Sequence, residues 1–193
     1  MRLIAEKAEN CEQALEMMKM LIGRGYVGNA GYRRGMIFLF VDPKKGLIIE
    51  NTSEKLDYKF VERGVFVYTN HFLLEEMKGE IDEKRIHEVP SKSSNIRWLR
   101  GKELIEEMGN RKIGVEDLKR FSRDTKNFPY SLCNNSNIFP WRTLSAFIHK
   151  IGHTSGEIHY SFISNGVPIS TKYICLSITE EETPLSLLTD YVI

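Results

Sequence analysis

This chain of 193 residues is short of cysteine, and it carries no surplus of either charge. Cys11, Cys133 and Cys175 are its three cysteines. They are odd in number and too sparse for a disulfide framework, which points to a reducing compartment. Lys and Arg number 27 against 26 Asp and Glu, a formal charge of +1. That balance excludes the basic footprint of a nucleic-acid binder or a polybasic membrane anchor. No apolar run approaches the length of a membrane span, and Met1-Arg2-Leu3-Ile4-Ala5-Glu6-Lys7 carries charge too early for a secretory signal. The expected location is therefore cytoplasmic. Without a signal, the sequons Asn51-Thr52-Ser53 and Asn134-Asn135-Ser136 are chance matches. Tandem repeats and low-complexity tracts are missing too.

What is present reads as one domain over residues 1–193. Ala14, Leu15, Met18, Leu21 and Ile22 recur at helical spacing. Asn10 followed by Gln13 fits a capping box, so a short helix, a break and a second helix from Cys11 to about Ile22 are predicted. Met36 to Val41 and Leu47 to Glu50 flank the turn residues Asp42-Pro43-Lys44-Lys45-Gly46 as a hairpin. Lys55 to Val61 and Gly64 to Thr69 are predicted as two further strands. Residues 73–92 are polar and suggest a long surface loop, the expected lid over any pocket. Ser93 or Ser94 is expected to cap a helix through Met108, and Val115 to Arg123 a shorter one. Thr143 to Ile151, Glu157 to Ser164 and Lys172 to Ile178 complete the strands. Blocks of like elements favour an α+β fold with antiparallel sheets.

Two apparent motifs fail on context. Gly23-Arg24-Gly25-Tyr26-Val27-Gly28 spells a dinucleotide fingerprint, but it follows a helix and precedes strands, the reverse of what phosphate binding needs. His149 and His153 have metal-like spacing, yet Gly152 interrupts them and no third ligand lies near. Neither a metal nor another cofactor is expected. The distinctive stretch is Gly64-Val65-Phe66-Val67-Tyr68-Thr69-Asn70-His71-Phe72, predicted as a buried strand ending at a polar corner. A carboxamide fixed at such an end can donate to a developing oxyanion. A Thr-Asn pair can also close a strand through local backbone bonds.

Several pieces, in order, resemble the isopenicillin N acyltransferase family of N-terminal-nucleophile (Ntn) hydrolases, relatives of the choloylglycine hydrolases. They are Ala8 with Glu12-Gln13-Ala14-Leu15; Phe40-Val41-Asp42 with Gly46-Leu47-Ile48-Ile49-Glu50; and Gly64 to His71. Further on come Ser94 with Arg97, Pro129-Tyr130-Ser131-Leu132-Cys133, Thr143-Leu144-Ser145 and Gly166-Val167-Pro168. The resemblance implies a four-layer αββα sandwich, here incomplete at its N-terminal side. It also implies acyl transfer or amide hydrolysis through a cysteine freed at a chain start, whose α-amine serves as base.

By that resemblance Asn70 is the oxyanion donor. Arg97, His71 and Ser145 are candidate substrate-binding residues, with Arg100 a competitor for the role of Arg97 and His71 a brace for Asn70. Arg97 can equally be an exposed helix arginine in an ion pair, and Ser131, Thr143 and Ser145 can simply satisfy local backbone. Asn134 and Ile169 depart from the residues that relatives favour. The resemblance begins partway along the family's catalytic chain, beyond the nucleophilic cysteine and an active-site aspartate. Cys11 opens a helical sequence, whereas an Ntn nucleophile begins a strand, so Cys11, like Cys133 and Cys175, is expected to be a core thiol. The nucleophile is therefore expected from another segment or chain, or from a longer version of this one, acting on a small-molecule amide or acyl substrate. The alternative is an inactive remnant, a homodimer that binds a small molecule or serves structurally.

Overall fold

Local side-chain bonds set where the first helices begin. The computed structural model describes residues 2–25, 35–78, 80, 89–136, 142–152 and 159–178, and the chain divides into two compact units, 1–109 and 110–193. In the first unit Arg2–Lys7 forms α1 and Cys11–Gly23 forms α2. Asn10 Oδ1 accepts the Gln13 N–H at 2.9 Å, and Gln13 Oε1 accepts the Glu9 N–H at 2.9 Å. The first bond satisfies an amide that a helix start leaves without a backbone partner, and the second ties down Glu9, just before the cap.

Strands β1 (Met36–Val41), β2 (Gly46–Asn51) and β3 (Leu56–Val61) form an antiparallel sheet in that order. Asp42 builds the first hairpin turn and ties it to α2. Its Oδ1 accepts the Lys44 and Lys45 N–H groups at 2.8 and 2.9 Å, and its Oδ2 accepts the Cys11 N–H at 2.9 Å. Burial opposes ionisation of Asp42, but these donors outweigh it and hold the carboxyl down at about 2.

Cys11, Ala14, Leu15 and Met18 form one stripe of α2, which packs with Ile4 of α1 against Phe38 of β1 and Leu47 and Ile49 of β2. Burying each large aliphatic side chain contributes about 1.5–3 kcal/mol, and this is the main core of the unit. On the opposite sheet face Ile48 and Glu50 are buried as well, as a central strand requires. Gly35, just before β1, permits a close approach: a Cβ there would run into the Phe72 ring and the Asn51 carbonyl.

The structure corrects three expectations in this unit. Residues 65–69 belong to no strand, and Val65 and Phe66 are exposed rather than buried. Part of the predicted loop is a 3-10 helix, Glu75–Met77, anchored by the fully buried Met77; residues 81–88 lie outside the described ones. Helix α3 spans Val89–Met108, so Ser93 and Ser94 lie inside it, buried, and do not cap it.

The second unit contains α4 (Val115–Ser122) and an antiparallel sheet of β4 (Phe147–Lys150), β5 (His159–Ser164) and β6 (Tyr173–Ile178). Lys119 of α4 lies over the Phe162 ring at 5.0 Å, and Arg123 donates to the Pro168 carbonyl at 2.8 Å. These contacts join the helix end to β5 and to the turn before β6. The architecture is α+β. No helix among the described residues is long and apolar enough to cross a membrane, and no cluster of three potential metal ligands occurs among them.

Candidate active site

The Thr69-Asn70-His71 corner is held by one face of α3. Ser94, Arg97 and Trp98 stand at i, i+3 and i+4, which puts them side by side on a helix. Ser94 bonds all three residues of the corner, Arg97 bonds Asn70 and Trp98 meets His71. Ser94, fully buried, accepts the Asn70 backbone N–H on Oγ at 2.7 Å. Its Oγ lies 2.9 Å from Thr69 Oγ1 and 2.8 Å from His71 Nδ1, while Thr69 Oγ1 donates to the Ser94 carbonyl at 3.0 Å. Trp98 meets the His71 ring edge-to-face at 5.8 Å.

One proton arrangement satisfies all these groups. The Thr69 hydroxyl is committed to the Ser94 carbonyl, so the Ser94 hydroxyl donates to Thr69 Oγ1. The Ser94 oxygen then accepts from both the Asn70 amide and His71 Nδ1–H. Burial and the neighbouring Arg97 charge both lower the His71 pKa below its ordinary 6.5, so the ring is neutral at pH 7.

Arg97 fixes the carboxamide. It donates from Nη2 to Asn70 Oδ1 at 2.9 Å and from Nε to the Ser93 carbonyl at 3.3 Å. A guanidinium only donates, so the amide oxygen must face it and the Asn70 NH₂ points the other way. Asn70 is exposed and Arg97 half-buried. Burial lowers the Arg97 pKa from 12.5, which leaves it charged near neutrality. The pair thus presents an oriented neutral donor backed by a fixed positive charge.

The corner is also braced from the sheet. Glu50, fully buried on β2, accepts the Leu73 and Leu74 N–H groups on its two oxygens at 2.7 and 3.1 Å. Burial raises the Glu50 pKa against the pull of those two donors. Tyr68 also bonds to Glu50, and its own pKa is pushed up to about 12, first by burial and then by that neighbouring carboxylate. Glu50 is a residue the sequence reading missed. Its signal was a charge at the end of the apolar run Leu47-Ile48-Ile49, within the strand pattern itself.

The remaining candidates fall elsewhere. Arg100 is buried in ion pairs with Glu103 and Glu107 at 2.9 and 3.0 Å, so it does not compete with Arg97. Ser145 is half-buried in the second unit. Ser131 Oγ donates to the Cys133 carbonyl at 2.7 Å, and Thr143 Oγ1 accepts the Asn134 N–H at 2.9 Å, both of them local backbone roles. His149 Nδ1 pairs with Ser161 Oγ at 2.9 Å; His153 lies outside the described residues.

The thiols divide. Cys11 and Cys133 are buried, whereas Cys175 is exposed and is not the core thiol expected. Burial, with Asp42 beside it, pushes the Cys11 thiol up to about 12. A thiolate is the reactive form, so Cys11 is a poor nucleophile by about three orders of magnitude relative to an ordinary thiol. In the folded protein, a maleimide at pH 7.5 is expected to label Cys175 rapidly and to leave Cys11 and Cys133 unmodified. Peptide mass spectrometry checks this, and rapid labelling of Cys11 would overturn the inert assignment.

Fold and corner together define an α+β protein that presents an anchored, exposed carboxamide. Residues 1–152 match the family model of acyl-coenzyme A:6-aminopenicillanic acid acyl-transferase, and the chain belongs to this acyltransferase family. No curated protein matches it.

Proposed function

We propose that this chain forms part of a cysteine-nucleophile Ntn acyltransferase or amidohydrolase acting on a small-molecule thioester or linear amide. The observation that carries this reading is the Arg97–Asn70 bond, which turns the carboxamide NH₂ away from the helix. In the proposed reaction a thiolate adds to the substrate carbonyl carbon, and the electron pair of the C=O bond moves onto oxygen. Asn70 Nδ2 donates to that oxyanion, while the Arg97 charge behind it strengthens the donor. Collapse expels the amine or thiol and leaves an acyl-enzyme, which an amine or water then attacks. His71 holds the corner through Ser94 and Thr69 and is not the base.

The nucleophile belongs to a segment or chain other than the residues described, since Cys11 and Cys133 are buried and none of the three thiols has a free α-amine. The four-layer αββα arrangement is part of this proposal. It is supported by helices on one face of an antiparallel sheet in the first unit and by the contacts of α4 with the sheet of the second. Ser145 is retained as a weaker substrate contact, and cytoplasmic location follows the composition.

The test is intact-mass analysis after mixing with an acyl thioester. The chain alone is expected to gain no acyl group, and the chain co-purified with a cysteine-bearing segment is expected to gain one acyl group on that segment. Acylation of Cys11 would place the nucleophile in this chain and overturn the need for another segment, and a stable homodimer that never acquires such a segment and never becomes acylated would replace this reading with the inactive-remnant alternative.

A further inference from the structure

We propose that the cleft between residues 65–68 and α3 binds a small amphipathic monoanion, an apolar body carrying one carboxylate. This inference is independent of acyl transfer and of Asn70. The cleft is open on one side and measures about 350 Å³ within the first unit. At about 30 Å³ per water-sized group, it admits roughly ten non-hydrogen atoms.

The walls are apolar. Val65 and Phe66 come from the segment before the corner, and Trp98 and Ile105 from α3. Val65 is 51% and Phe66 45% exposed. Single exposed apolar residues are ordinary on a protein surface. Two adjacent ones lining a concavity with a tryptophan are the composition of a ligand site.

Two ammonium groups converge on this cleft, each seated on one of its rings: Lys59 over Phe66 at 5.0 Å and Lys102 over Trp98 at 4.7 Å. In the same unit Lys19 pairs with Glu16 and Lys55 with Glu80. Lys59 and Lys102 form no ion pair among the described residues. Glu106, one turn beyond Lys102, lines the same cleft. The ionised lining therefore sums to one excess positive charge, which complements a monoanion and disfavours a cation. A neutral apolar ligand would leave both ammonium groups unused.

The experiment is calorimetric titration of the full chain with octanoate and with octanamide, which share size and chain and differ in charge. Octanoate is expected to bind about tenfold more tightly. Lys59→Ala and Lys102→Ala are each expected to weaken octanoate about twofold to fivefold, as exposed charge pairs do, with octanamide unchanged. The double variant is expected to lose the octanoate preference, and Lys102→Arg alone to keep it. Both lysines are exposed, so these variants should keep the wild-type circular dichroism. Equal binding of the two ligands to the wild type, an octanoate preference that survives in the double variant, or no octanoate binding at millimolar concentration would each overturn the proposal.

Discussion

Asn70→Ala is expected to lower acyl-transfer turnover by about 10²–10³, the usual loss when one oxyanion donor is removed, in the assembly that contains the nucleophile. Substrate affinity should change little, because the charge that Asn70 meets develops only as the carbonyl is attacked. The loss should therefore fall on kcat rather than KM. The fold should be unaffected: Asn70 is exposed, and its backbone N–H, which bonds Ser94 Oγ, is kept in the variant. Asn70→Asp separates orientation from donation. An aspartate can still accept from Arg97, as Oδ1 does now at 2.9 Å, but it offers no N–H and places negative charge beside the oxyanion. It should be at least as slow as alanine. Wild-type kcat in Asn70→Ala would remove Asn70 from the mechanism.

The parts legible in the sequence are those whose bonds are local. The helix break at Asn10 was visible because its partner is Gln13, three residues away, and the β1–β2 hairpin because Asp42 bonds Lys44 and Lys45. The corner was recognisable as residues but not as structure. Val65-Phe66-Val67-Tyr68-Thr69 has the composition of a strand, yet its polar anchorage comes from side chains. Thr69 and Asn70 bond Ser94, and the following Leu73 and Leu74 bond Glu50, across separations of 23 to 25 residues. No periodicity reports such contacts. The same remoteness explains the reading of Ser94 as a cap. A serine ahead of an apolar helical pattern suits an N-cap, but here the helix begins earlier, with Pro90 in its first turn. That position tolerates a missing N–H and frees the Ser94 hydroxyl for the corner.

Glu50→Ala should destabilise the first unit by about 2–4 kcal/mol. Two backbone N–H groups and the Tyr68 hydroxyl lose their acceptor at once, and each buried unsatisfied donor costs about 1–3 kcal/mol. Relief of burying the carboxylate offsets part of that. The pH dependence separates these contributions. Burial raises the folded-state pKa of Glu50 above its ordinary 4.5, so the native state binds the extra proton. Its contribution to stability is greatest below the unfolded pKa and declines as pH rises through the folded one. The difference between wild type and variant should therefore widen as pH falls towards 4.5, opposite to the behaviour of a salt-bridged carboxylate. Hydrogen exchange localises the effect, with lost protection at the Leu73 and Leu74 amides as the specific signature. If those two amides exchange at wild-type rates in the variant, Glu50 does not hold the segment that follows Asn70. The corner would then rest on α3 alone.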